Sequence, residues 1–215
     1  MPVINATIDG VAVEIEEGCT GTQYYESRSD VVAMTVDGNA WDLSREIPAD
    51  ATVEAITLNS PAGLEILRHS CTHVMAQAVQ EIFPDVNLGI GPFITDGFYY
   101  DFGNIDSVTP ELMRDIEKRM KRIVKEGQAF RRRIVTEEEA REELADQPFK
   151  LELISTKGGG AQDASVEVGG AELTIYDNVR RDGTTAWKDL CRGPHLPSTK
   201  LIGNGFAFDG SGAAA

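Results

Sequence analysis

Histidine occurs three times in this 215-residue chain, and every copy belongs to a short spaced pair. His69 and His73 stand four residues apart in LRHSCTHVMAQAV, and His195 follows Cys191 by four in DLCRGPHLPST. Three imidazoles and one thiol suit tetrahedral zinc, and histidines at i and i+4 on a helix have the spacing that metal sites use. The same groups suit hydrolysis, in which an imidazole holds or activates water. The competing reading is packing, the usual reason for a histidine pair on a helix. Spending all three histidines and a loop cysteine on two pairs argues for one shared site. Gly193-Pro194 excludes a continuous helix between Cys191 and His195 and makes a tight loop that aims side chains. Asp189 and Arg192 flank Cys191, and Tyr99, Tyr100 and Lys150 are further polar candidates, with plain alternatives: a solvent-facing Arg192, half-buried sheet tyrosines, and Lys150 as a solvated strand end.

The elements that must carry these residues follow from periodicity. Ser60-Pro61 reads as an N-cap followed by proline at the first helical position, and Leu64, Leu67, Cys71, Val74, Met75, Ala78 and Ile82 recur at helical spacing. A helix is expected from about Pro61 to Phe83, stopped by Pro84, with His69 and His73 about 40° apart on one face. Upstream, short apolar runs alternate with turns, and Asp9-Gly10 and Asp37-Gly38 are hairpin signals. Residues 20 to 30 could hold a short helix. Downstream, VNLGIGPFITDGFYYDF predicts a strand pair with close backbone packing at its glycines. Thr109-Pro110 opens a second helix that Gly127 closes, and Thr136 with Glu139 forms a capping box for a third. FKLELIS is expected to be a strand, with ASVEV, Gly169-Gly170 and AELTIYD as a hairpin after it. The order is α+β in two parts, with the join near residues 58 to 63.

Charge and composition narrow the function. The net charge of −15 argues against nucleic acid, because phosphate binding needs cations. Yet residues 111 to 133 hold nine basic residues against four acidic, so a candidate RNA face includes Lys121, Arg122, Lys125, Arg131, Arg132 and Arg133, with Arg192 beside the cysteine loop. A solvated helix face is the alternative. Three scattered cysteines point to reduced thiols, and no apolar run reaches the 18 residues of a membrane span. No signal-peptide pattern opens the chain, so a cytoplasmic location and no membrane partner are expected. The terminal GFAFDGSGAAA reads as a cut edge.

RHSCTHVMAQAV, GIGPFITDGFYYDF and DLCRGPHLPSTKLIG together resemble the amino-terminal part of bacterial threonyl-tRNA synthetases. The resemblance implies a small β-grasp (ubiquitin-like) domain of the TGS type at 1 to 60, then a larger α+β editing domain at 61 to 215. It implies an enzyme that hydrolyses serine wrongly attached to threonine tRNA, since a synthetic pocket made for threonine cannot strongly exclude a substrate lacking one methyl. Carried over by position, His69 and Lys150 would be catalytic, and His73, Tyr100, Asp189, Cys191 and His195 would hold substrate. The family's Tyr-Lys segment reads Phe-Lys here. No cofactor is expected from the threonyl branch, although alanyl-type relatives hold zinc with residues matching His69, His73, Cys191 and His195. The implied partners are serine-charged threonine tRNA and the synthetase core, in a full-length homodimer. Two other readings stay open: a zinc-dependent alanyl-type editing hydrolase, and a non-catalytic tRNA-binding appendage.

Overall fold

The computed structural model describes residues 2–105, 107–155 and 172–208. The chain divides into two compact units, Met1–Leu67 with Gly193–Pro197, and Arg68–Arg192 with Ser198–Ala215.

The first unit is a five-stranded mixed sheet with one short helix. Its strands are β1 (Val3–Ile8), β2 (Val11–Glu16), β3 (Val31–Val36), β4 (Asn39–Asp42) and β5 (Thr52–Thr57), in the order β2-β1-β5-β3-β4. β1 and β5 run parallel and the other neighbours antiparallel. Both expected hairpins form. Asp9 and Gly10 turn with φ of 50° and 80°, and Asp37 and Gly38 with 49° and 81°, the left-handed pair that a two-residue hairpin requires. Helix α1 (Gly21–Tyr24) settles the segment that sequence left open, and a reciprocal Thr20–Gln23 capping box starts it. It lies so close to β3 that a Cβ on Gly21 would sit 2.7 Å from the Met34 sulfur. Ile8, Met34 and Val53 are buried in the sheet's core, each contributing roughly 1.5–3 kcal/mol by leaving water.

Helix α2 (Pro61–Ile82) begins as expected, with the Ser60 hydroxyl accepting the Gly63 N–H at 3.1 Å, and it ends two residues before Pro84. Gly63 is obligatory, since a Cβ there would stand 2.0 Å from the Thr57 carbonyl oxygen. Next come four two-residue strands, β6 (Asn87–Leu88), β7 (Phe93–Ile94), β8 (Gly97–Phe98) and β9 (Phe102–Gly103), paired β6–β9 and β7–β8. The glycine-directed close approach is there too: a Cβ on Gly91 would meet Tyr100 at 2.3 Å and Thr72 at 2.4 Å.

Helix α3 (Pro110–Glu126) has Thr109 as its N-cap and Gly127 at φ 64° as its left-handed stop. β10 (Ala129–Val135) leads to α4 (Glu137–Glu143), capped by Thr136 with Glu139. FKLELIS is not the strand expected of it. It is helix α5 (Pro148–Ser155). Eight residues of mixed apolar character fit either period, and the deciding signal was Pro148 at the first helical turn. Gln147 fixes this helix start. Its carbonyl accepts the Leu151 N–H at 3.1 Å, and its side chain accepts from Leu88 N–H at 2.7 Å and donates to the Val86 carbonyl at 3.2 Å.

β11 (Leu173–Val179) and β12 (Thr185–Leu190) complete an antiparallel sheet in the order β10-β11-β12. The strand that begins LTIYD is therefore central, paired with β10 on one side and on the other with TAWKDL, a strand that the sequence reading passed over. ASVEV and Gly169-Gly170 lie outside the described residues. Val135, Ala140, Leu144, Ile154, Leu173, Ile175 and Leu190 close a core over this sheet, with α4 and α5 supplying its helical side.

Candidate active site

Three elements of the second unit converge. α2 carries His69 and His73, whose ring centroids are 5.3 Å apart and nearly perpendicular at 87°. β12 and the residue after it carry Asp189 and Cys191, and the Cys191 sulfur lies 3.2 Å from His69 Nε2. α5 carries Lys150, and the loop after β8 carries Tyr100.

Lys150, Asp189 and Tyr100 form one buried polar cluster. Lys150 Nζ stands 3.0 Å from Asp189 Oδ1, with both side chains fully buried. Tyr100 donates its hydroxyl to Asp189 Oδ2 at 2.7 Å, and the Leu190 N–H donates to Oδ1 at 2.8 Å. Lys150 Nζ also lies 5.6 Å from the centre of the Tyr100 ring. A buried ion pair is costly to desolvate and is tolerated when further hydrogen bonds satisfy it, as here. Lys150 is thus not a solvated strand end: its helix turns it inward.

Charge around the pair of histidines is uneven. The pKa of His73 is pushed well below its usual value, first by burial and then by His69 and Lys150, so its imidazole is neutral at pH 7. Burial pushes the Cys71 thiol up to about 12, which leaves it an inert neighbour. Two nitrogens and a sulfur from His69, His73 and Cys191 lie within 4.8 Å of one another, and this cluster could bind a metal ion. The donor set and the 3.2 Å His69–Cys191 separation fit zinc, whose tetrahedral N and S ligands stand about 3.5 Å apart for bonds of about 2.0 and 2.3 Å.

His195 belongs to the Gly193–Pro197 segment of the first unit, where it is buried and its backbone N–H donates to Asp42 Oδ1 at 3.0 Å. Arg192 is exposed, and its carbonyl accepts the Tyr176 hydroxyl at 3.5 Å. Tyr99 is 44% exposed, in contrast to the buried Tyr100.

The basic stretch is divided between α3 and β10, and much of its charge is spent locally. Lys121 pairs with Glu117, Arg122 with both Glu126 and Glu81, and Arg132 with Glu172 at 3.3 Å. Arg133 bridges Asp177 and Glu143, holding the Glu143 carboxyl down at about 2 with help from Lys188. Lys125 and Arg131 are exposed and have no ion pair among the described residues.

Sequence reasoning missed the polar face that continues from the histidines along α2. Gln77 accepts from the Asn178 amide at 2.8 Å, and Gln80 accepts from the Trp187 indole N–H at 2.6 Å. The signal was available: Gln77 and Gln80 follow His73 by four and seven residues, so they share its face.

Residues 166–206 match the family described as the threonyl and alanyl tRNA synthetase second additional domain. Over 201 residues, 94% of this chain and 29% of the relative, the sequence is 66% identical to a threonine–tRNA ligase of Cutibacterium acnes. It is 57% identical to that of Micrococcus luteus over 97% of this chain and 32% of the relative, and 51% identical to that of Thermobifida fusca over 94% and 31%. The chain spans about a third of the length of these relatives. Among the described residues no helix is long and apolar enough to cross a membrane. Most of the chain is therefore similar to a stretch of bacterial threonine–tRNA ligases, and its residues 166–206 match the second additional domain of threonyl and alanyl tRNA synthetases.

Proposed function

We propose that this chain is the editing part of a threonine–tRNA ligase and hydrolyses the ester that joins serine to threonine tRNA. In this reading residues 1–60 are a TGS-like β-grasp domain, residues 61–215 are the editing domain, and the synthetase core of a homodimeric enzyme is its partner. The observation that carries the reading is the buried Lys150–Asp189–Tyr100 cluster, joined on β12 to the Cys191 that faces His69. A fully buried lysine is expensive to keep, and active sites are where such groups collect.

Water attacks the ester carbonyl carbon and becomes part of the carboxyl group of serine, the bond from that carbon to the terminal ribose oxygen breaks, and the ribose oxygen takes up the proton that the water gives up. His69, the half-exposed member of the pair, holds and activates that water. Lys150 offsets the negative charge that develops on the carbonyl or ribose oxygen, and a fixed cation in a buried site does this without reorganising. Asp189 keeps Lys150 and Tyr100 in place and borders the serine pocket. Neutral His73, Tyr100 and Cys191 shape that pocket, with room for serine and not for one more methyl. Cys191 need not be a nucleophile. Arg192, Lys125 and Arg131 are the cations most available to tRNA phosphates, whereas Lys121, Arg122, Arg132 and Arg133 must first give up acidic partners.

Single-turnover release of amino acid from serine-charged and threonine-charged threonine tRNA tests this. Fast loss of serine with threonine spared is expected. Release of neither by folded protein that still binds the tRNA would replace the reading with a non-catalytic appendage. The nitrogen and sulfur donors of His69, His73 and Cys191 favour one second reading, a zinc-dependent alanyl-type hydrolase. There bound zinc would supply a Lewis acid for the ester and its water. Stoichiometric zinc by elemental analysis, with chelator-sensitive hydrolysis, would select it.

A further inference from the structure

We infer that Trp187, held by Gln80, is a positioning residue that sets His73 in the site, an inference that rests on the editing reading for its effect on hydrolysis. The His73 imidazole is buried among aromatic rings. Trp187 meets it edge-on at 5.3 Å and 84°, and Phe130 stands behind at 6.5 Å and 68°. The Trp187 indole is itself fixed, since its N–H donates to Gln80 Oε1 at 2.6 Å. Gln80 follows His73 by two helical turns, so one face of α2 supplies both the imidazole and the group that holds the wall against it.

A second tie runs parallel to the first. Asn178 on β11 is the cross-strand partner of Trp187 on β12, and opposite residues of an antiparallel pair point to the same side. Asn178 donates to Gln77 Oε1 at 2.8 Å, so one strand pair grips two glutamines of one helix face. Slipping α2 by one residue would rotate it by about 100° and shift it by about 1.5 Å, breaking both bonds. Buried amides are costly to leave unpaired, so the pair of bonds specifies a single register. That register also sets His69 and His73 against the far end of β12, because Trp187 lies on the same strand face as Asp189 and four residues before Cys191.

The test uses this chain with Gln80→Leu, Gln80→Glu, Trp187→Phe and the Gln80→Leu/Trp187→Phe pair. It reads single-turnover serine release and, separately, the His73 ring-proton resonances by NMR. Gln80→Leu is expected to lower the hydrolytic rate at saturation about tenfold with KM nearly unchanged, and to move the His73 resonances although Gln80 does not touch that ring. Gln80→Glu keeps an acceptor oxygen and should restore both. Trp187→Phe breaks the same hydrogen bond and also alters the ring against His73, so it should lose at least as much as Gln80→Leu, and the pair no more than Trp187→Phe alone. Unchanged His73 resonances in Gln80→Leu, or losses that add in the pair, would overturn the inference. Should Gln80→Leu fold poorly, Trp187→Phe and Gln80→Glu decide it alone. Inactivity of the unmodified chain would sink the editing reading instead, and the resonances would still show whether Gln80 and Trp187 place His73.

Discussion

The sheet of the first unit buries Ala6, Ile8, Met34 and Val53, and among its described residues Asp42 and His195 are the polar side chains that go inside. The second unit puts Thr174, Asp177 and Asn178 on one buried strand, and it buries His73, Gln77, Lys150 and Asp189 around it. Burial in the first unit is mostly of apolar side chains, from the almost fully covered strand β3 and from the inward residues of its neighbours. In the second, each buried polar group needs a partner, and the partners come from other elements: Lys150 from α5, Asp189 from β12, Tyr100 from a loop. The contrast separates a unit whose interior is almost wholly apolar from one whose interior also costs stability to hold buried polar and charged groups.

The sharpest way to break the comparison is Lys150→Met, which strands the Asp189 carboxylate. A loss of about 3–5 kcal/mol is expected in denaturant unfolding, with serine release abolished. Adding Asp189→Leu should recover much of the stability and none of the hydrolysis; recovery of both would place the chemistry elsewhere. In the first unit Ile8→Ala should cost about 2–5 kcal/mol for the cavity it leaves, while hydrolysis per folded molecule persists. A fall in single-turnover rate with the fold intact would contradict that division of labour. Thr109→Ala removes the α3 N-cap and should cost about 1 kcal/mol, visible as a small drop in denaturation midpoint.

The smallest effect concerns pH. Glu143 is held at about 2 by Arg133 and Lys188, below its ordinary value of 4.5. A carboxylate depressed in the folded state adds stability that is full above its unfolded pKa and is lost as pH falls through about 2. Glu143→Gln should therefore lower stability modestly at pH 7, flatten the acid limb of an unfolding titration between about pH 4.5 and 2, and change little below about pH 2, and added salt should shrink the difference. An acid limb that keeps its slope in Glu143→Gln would assign it to other carboxylates.

What was legible along the chain was local. Thr109-Pro110 with Gly127, Thr136 with Glu139, and the two Asp-Gly turns each carry their own hydrogen bonds or their own left-handed backbone, so α3, α4 and both hairpins appear where short motifs put them. The four-residue spacings of His69 with His73 and Cys191 with His195 also pointed to a site, and the structure places Cys191 against His69. FKLELIS was misread because seven residues of mixed apolarity do not distinguish a strand from a buried helix; Pro148 at the helix start and the tertiary bonds of Gln147 to Val86 and Leu88 chose the helix.

The sequence by itself determined the α+β class, the ends of the capped helix α3, the start of α4 and the donor types available for chemistry. Only the tertiary structure decided that Lys150 is buried on Asp189, that Tyr100 shares that carboxylate, that Arg133 is spent on Asp177 and Glu143, and that Gln77 and Gln80 grip Asn178 and Trp187. Caps and turns are settled by neighbours within four residues. A buried charge or amide is settled by whichever distant group can satisfy it, and separations such as the 39 positions between Lys150 and Asp189, or the 107 between Gln80 and Trp187, leave no periodic trace.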